Sequence, residues 1–209
     1  MKTTVLMGDI VGSRKMNQQQ RYELQERFNN ALGDLSAKYK SSLGTPMGLL
    51  AGDAYRVVID DPSVLPDLLV AVAAACRPHR VRQAVGVGGV FTRQVEDPHR
   101  LDGPAFHNAR DAIDLSEDIV FIGLGSTGDT ILTGLMALLL AHQARLTGTQ
   151  LPVFQLLVDG CSAKEIEASL SLSKQSVYQY KERIQWSAYA KARAAMSEAI
   201  DLFFKDGDV

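Results

Sequence analysis

Two aspartates sit where a chain could do metal chemistry. Asp9 follows a short apolar run, Thr3 to Met7, and Asp53 occupies a Gly52-Asp53 turn between two further apolar runs. Two ionised carboxylates brought side by side repel unless a cation separates them, and hard oxygen ligands suit Mg²⁺ or Mn²⁺ carrying a substrate phosphate. The plainer alternative is that each aspartate hydrogen-bonds its own turn, as Asp often does. The segment after Asp9 adds to the first reading. Ile10, Val11, Gly12 and Ser13 place successive backbone N–H groups ahead of a long helix, a geometry that can cradle phosphate oxygens, and Arg14 and Lys15 add positive charge.

These residues need elements to hold them. The apolar positions Leu24, Phe28, Ala31, Leu32, Leu35 and Tyr39 recur at three- and four-residue steps, which predicts a long amphipathic helix over 17–39. TPMGLLAGDAYRVVIDD predicts a hairpin turning at Gly52-Asp53, and RVRQAVGVGGVFT predicts a further strand. Pro62 and Pro66 frame a second helix ending at Cys76, Asp102 to Leu115 reads as a loop entering a third, and Asp118 to Leu124 as the last strand. Residues 1–126 are therefore expected to form an α+β, ferredoxin-like βαββαβ core with helices over one sheet face. After Gly125-Ser126-Thr127-Gly128 the pattern is helical throughout, so residues 127–209 are expected to form a separate all-helical domain, its acidic end Asp206 to Val209 frayed.

Composition narrows the function classes. The chain has 209 residues, 46% of them hydrophobic and 22% charged, which excludes a disordered or low-complexity protein. With 22 Lys and Arg against 24 Asp and Glu, no global field draws it to nucleic acid or membrane, so any basic patch must be local. The apolar runs fall short of the ~20 residues of a membrane helix. A cytoplasmic location with no membrane partner is expected. Cys76 and Cys161 suggest neither a disulfide framework nor a zinc site.

The segments GDIVGSRK and GDAYRVVI resemble the two metal-binding motifs of class III nucleotide cyclases, and Asp9 and Asp53 match both metal ligands. VGVGGV resembles the cyclase strand that precedes the base pocket, and DGPAFHNAR occupies the position of the helix bearing the transition-state Asn and Arg. Over most of its length the chain is similar to the SatD family of bacterial proteins. The resemblance implies a nucleotide or related phosphorylated ligand, held with a divalent cation. It is imperfect at the helix, where His107 stands in the Asn place and Arg110 falls one step, about 100°, from the expected Arg. His107, Asn108 and Arg110 are thus candidates for ligand binding rather than for cyclase catalysis, with a metal-dependent enzyme acting on a nucleoside triphosphate as the alternative.

In LPVFQLLVDGCSAKEIEASLSLSKQSVYQYKERI, Ser162 can cap one helix and Ser173 the next, with a short turn at Ser171-Leu172 between them. This spacing, about 150–184, resembles the helix-turn-helix of LuxR-type and sigma region 4 modules, apart from Glu167 in place of a small Ala and Ser171 in place of the turn Gly. On the third helix Lys174, Gln175, Ser176, Tyr178, Gln179 and Lys181 are suited to base edges and phosphates. Between Ser171 and Arg193 there are five Lys or Arg and one Glu, a local basic bias. A plain helical bundle with a solvated face is the competing reading. A last helix carrying Trp186, Tyr189, Ala190, Met196, Ile200, Phe203 and Phe204 must bury its apolar side against the other helices or in a homodimer.

Overall fold

A computed structural model describes residues 2–50, 52–91 and 101–205; the acidic end 206–209 lies outside them, and of Lys205 only the backbone is described. The chain runs β1 (Thr3–Ile10), α1 (Gln18–Lys38), β2 (Ala54–Ile59), α2 (Leu65–Cys76), β3 (Val81–Gly88), α3 (Pro104–Leu115), β4 (Ile119–Ile122) and then five helices, α4 (Gly125–Ala144), α5 (Leu151–Val158), α6 (Ala163–Leu170), α7 (Lys174–Arg183) and α8 (Trp186–Lys205). The sheet order is β2-β1-β3-β4. β1 is antiparallel to both β2 and β3, whereas β3 and β4 are parallel.

The side-chain period of two divides β1 between two cores. Leu6 and Ile10 join Phe28 and Leu32 of α1 and Leu68 and Leu69 of α2. Val5 instead joins Ala105, Phe106 and Ala109 of α3. Helices therefore cover both sheet faces, which corrects the expectation of a single covered face. The reason is close approach. A Cβ on Gly86 would lie 2.2 Å from the Ala105 carbonyl oxygen and 2.2 Å from the Ala109 nitrogen, so glycine lets α3 rest on β3 backbone to backbone. The βαββαβ order needs a second correction, because the first arm of the expected hairpin is no strand. Leu43 and Leu49 make only isolated bridges to Ile59 and Tyr55. Pro46 lacks an N–H, and the Met47 and Leu49 amides donate to Ser36 Oγ and Asn29 Oδ1 instead of a strand.

Asn17 caps α1 in a reciprocal capping box with Gln20, and Leu24, Phe28 and Leu32, four residues apart, are its buried positions. Burying Phe28 or Leu32 contributes about 1.5–3 kcal/mol each. Inside the sheet Tyr55 Oη donates to Gln83 Oε1 (2.9 Å), and Gln83 Nε2 donates to the Leu69 carbonyl (3.0 Å), so the polar atoms of this buried layer are satisfied. The Cys76 thiol is buried, and burial pushes its pKa up to about 12, which keeps it an unreactive thiol.

The apolar cluster continues from Leu6 and Phe28 through Leu132 and Met136 of α4 to Met196 and Ile200 of α8. Polar ties run alongside it. Arg193 of α8 pairs with Asp67 of α2, Lys38 of α1 with Asp159 (2.5 Å), and Arg77 donates to the Leu146 carbonyl (2.7 Å). No helix among the described residues is long and apolar enough to cross a membrane.

Candidate functional site

Asp9 and Asp53 come together at one end of the sheet. Asp9 sits in β1 opposite Ala54 of β2, and the Ile10 amide donates to the Asp53 carbonyl (3.3 Å), so the two aspartates flank neighbouring backbone positions. Each carboxylate has a partner. Ser13 Oγ donates to Asp53 Oδ2. Arg82 grips Asp9 with both arms, Nε to Oδ1 at 2.9 Å and Nη2 to Oδ2 at 2.5 Å. In the β1–β3 register Arg82 lies directly across from Asp9, and directly opposite residues share a sheet face. The hydrogen bonds to Asp9 hold the guanidinium firmly charged against a burial cost, and the fields of Asp9, Asp114 and Asp53 add to this. Asp9, Asp53 and Asp114 thus share one electrostatic neighbourhood with Arg82.

The turn after β1 is narrower as an anion cradle than its sequence suggests. The amides of Ile10 and Val11 are taken by the carbonyls of Asp53 and Arg80, which corrects their assignment as free phosphate donors. Gly12 and Ser13 remain at the tip of the turn. Ser13 is buried with its hydroxyl on Asp53, and Arg14 and Lys15 are exposed beside it.

The other proposed ligand residues lie elsewhere. Asn108 Nδ2 donates to the Val87 carbonyl (2.8 Å), and Val87 is five residues of strand from Arg82, or ~17 Å at ~3.3 Å per residue. His107 is exposed and pairs with Asp102 (3.0 Å), and Arg110 is exposed one turn of α3 away. Within one chain, His107 and Asn108 do not join the carboxylate pair. The register explains it: the first turn of α3 packs on Gly88, the end of β3 that pairs with Thr3, while Asp9 pairs at the opposite end.

Among the described residues no group of three or more His, Cys, Asp or Glu is arranged around a metal position. Two carboxylates fit Mg²⁺ or Mn²⁺ nonetheless, because Mg²⁺ usually takes one or two protein carboxylates and fills its remaining positions with water and phosphate. Both aspartates are only partly buried. A cation would share Asp9 with Arg82, the residue that sequence reasoning missed. A signal for it was present, because an arginine two residues before the apolar strand AVGVG, on the same face as Ala84 and Gly86, needs a counter-charge once β1 is its neighbour.

In the C-terminal helices the caps fall at the expected serines. Ser162 forms a capping box with Glu165, Ser171 takes the left-handed conformation (φ 52°) that ends α6, and the Ser173 side chain accepts from the Ser176 amide to open α7. Val177 is buried at the centre of α7, whereas Lys174, Gln175, Tyr178 and Gln179 are exposed and Ser176 and Lys181 half-buried.

The fold and the site together define an α+β protein with an acidic, arginine-clamped strand end, joined to five helices of which α6 and α7 are short and serine-capped. Residues 4–125 match the model of the SatD family, and the chain belongs to that family. Among solved structures it is similar to the guanylyl cyclase Cya2 (14% identity, 58% of this chain and 74% of that one, TM-score 0.47). It is also similar to the adenylyl cyclase CyaB from P. aeruginosa (20% identity, 57% and 76%, TM-score 0.39). A third likeness is to the guanylate cyclase domain of RhGC from Catenaria anguillulae in complex with GTP (16% identity, 57% and 77%, TM-score 0.41). No curated protein matches the chain.

Proposed function

We propose that this protein is a ligand-responsive DNA-binding regulator. Its sheet end binds a nucleotide or related phosphorylated ligand together with Mg²⁺ or Mn²⁺, the α6–α7 pair within residues 127–209 reads DNA, and the working unit is a homodimer. The observation that carries the ligand half is the convergence of Asp9, Asp53 and Arg82 beside a turn whose Gly12, Arg14 and Lys15 are exposed. Asp9 and Asp53 are the residues that would hold the cation, whose chemistry there is to neutralise phosphate oxygens. Ser13 fixes the rotamer of Asp53. Arg82 balances Asp9 and presents a charge-assisted donor to an anion, and Arg14 and Lys15 add long-range attraction. Binding without turnover is favoured because Asn108 is committed to Val87 and His107, in the first turn of α3, lies toward the Gly88 end of β3. The DNA half is supported by the exposed polar face of α7 around buried Val177.

The ligand half is tested by thermal shift and product analysis with Mn²⁺ and each nucleoside triphosphate. Stabilisation without product is expected, lost in Asp53→Asn; cyclic product that disappears in Asp9→Ala would replace the sensor reading with the enzyme. The DNA half is tested by fluorescence anisotropy at several salt concentrations. Lys181→Ala should reduce the log-affinity against log-salt slope by ~0.9, and Gln179→Ala should cost about 1–3 kcal/mol at a preferred site only. Absence of salt-sensitive affinity in the wild type would remove the DNA half.

A further inference from the structure

We propose that two copies of this chain associate through the solvent face of α4, the two helices packed antiparallel about a two-fold axis near Met136. This rests on the two-copy reading above and goes further by naming the surface.

Three features of α4 carry it. First, its outward positions, Thr127, Ile131, Gly134, Leu138, Ala141 and Arg145, follow one another at alternating steps of four and three, the spacing of a helix-pairing seam. All six are exposed, Ile131 to 41% and Leu138 to 68%, and none before Arg145 is charged. Second, Gly134 has no reason within the chain. It sits mid-helix, where glycine is unfavourable relative to alanine, and a Cβ there would meet nothing within 4 Å. A glycine that no neighbour requires, placed between two exposed large side chains, fits the close approach of a helix from outside.

Third, the order of sizes commits the occupant to a second copy. An antiparallel twin sets Ile131 against the partner's Ala141 and Leu138 against the partner's Gly134, so each large side chain meets a small one. A two-fold axis demands this kind of self-complementarity. A parallel pairing would instead set Leu138 on its own copy and Gly134 on its own copy, leaving a clash beside a void. With 20 residues, α4 offers a strip ~30 Å long and ~10 Å wide, roughly 300 Å², less than the ~800 Å² per partner of a stable complex. The dimer is therefore reversible and dependent on concentration.

Sedimentation equilibrium over a concentration series tests this, using the full chain. Wild type is expected to dimerise, and Leu138→Glu to weaken the dimer by about tenfold or more, with far-UV circular dichroism and Tm unchanged because the residue is exposed. Gly134→Leu, which adds a side chain to open space, should weaken the dimer in the same way. In a Cys161→Ser background, a short bis-maleimide should join Ile131→Cys to Ala141→Cys when the two variants are mixed. Ile131→Cys alone should not cross-link, since its two copies lie ~15 Å apart along the axis. A wild type that stays monomeric overturns both the two-copy reading and this surface. A wild-type dimer undisturbed by Leu138→Glu and Gly134→Leu overturns the surface alone, and efficient cross-linking of Ile131→Cys by itself overturns the antiparallel order.

Discussion

The sheet end and the α6–α7 pair are both polar sites, but they are assembled in opposite ways. Asp9, Arg82, Asp53 and Ser13 come from two strands and two connections, and they meet only because β1 pairs with both β2 and β3. The face of α7 comes from ten consecutive residues, capped by the serine just before them. A site built from distant segments answers to the packing of the whole domain; a site on one helix answers to its own cap and to Val177 beneath it.

The largest expected difference follows from α3 resting on β3. In Gly86→Ala the new methyl meets backbone atoms of Ala105 and Ala109, neither of which can swing away. Overpacking of this kind costs about 1–3 kcal/mol or more. Chemical denaturation should show that loss, and ligand-induced stabilisation at the sheet end should fall with it, while α7, which is remote in sequence from this contact, keeps its own hydrogen-exchange protection relative to global unfolding. Equal loss of protection in both regions would show that the two are one cooperative unit.

The same contrast explains what could be read in advance. Ser162 and Ser173 were legible as caps because a cap is a local event, decided within three or four residues. The Leu24, Phe28, Leu32 stripe of α1 was legible for a similar reason. Arg82 was not, because its role depends on which strand lies beside β3, and that is set by the sheet order rather than by anything within RVRQAVGVGG. The missing first arm of the hairpin has the same origin. Residues 45–50 carry a strand-like composition, yet α1 offers Ser36 and Asn29 as acceptors for their amides. The separation of Asn108 from Asp9 was likewise invisible until register placed Val87 and Arg82 five residues apart.

Next in size, Ser173→Ala removes the cap of α7 and should cost about 1 kcal/mol. Anisotropy should register the fraying as weaker DNA binding, with the thermal shift produced by Mn²⁺ and nucleotide unaltered. Cutting the sheet end gives the reciprocal result. Asp9→Asn leaves Arg82 without its counter-ion and should cost up to about 1 kcal/mol, since a pair that is about a third exposed is largely screened by solvent. The double variant Asp9→Asn with Arg82→Gln should recover part of that stability without recovering metal-dependent stabilisation, a coupling that a double-mutant cycle measures directly. Additive effects of the two single changes would show that the ion pair contributes nothing.

The smallest effect concerns Glu165 and acid. The hydrogen bonds from Ser162 hold the Glu165 carboxyl below the ordinary glutamate range, because they favour its ionised form at the start of α6. A depressed carboxylate stabilises the fold at pH values above its unfolded pKa, about 4.3 for glutamate, and that contribution disappears as pH falls through the lower folded value. The α6 start should therefore loosen only under strongly acid conditions. An NMR titration of the Glu165 side chain should give a midpoint below the ordinary glutamate range, and Ser162→Ala should move it back toward that range. The sheet end supplies the control. Arg82 stays charged throughout this range, so Asp9 and Asp53 variants should leave the Glu165 midpoint where it is, and a midpoint that moved with them would mean that the strand end and the helical pair are electrostatically coupled after all.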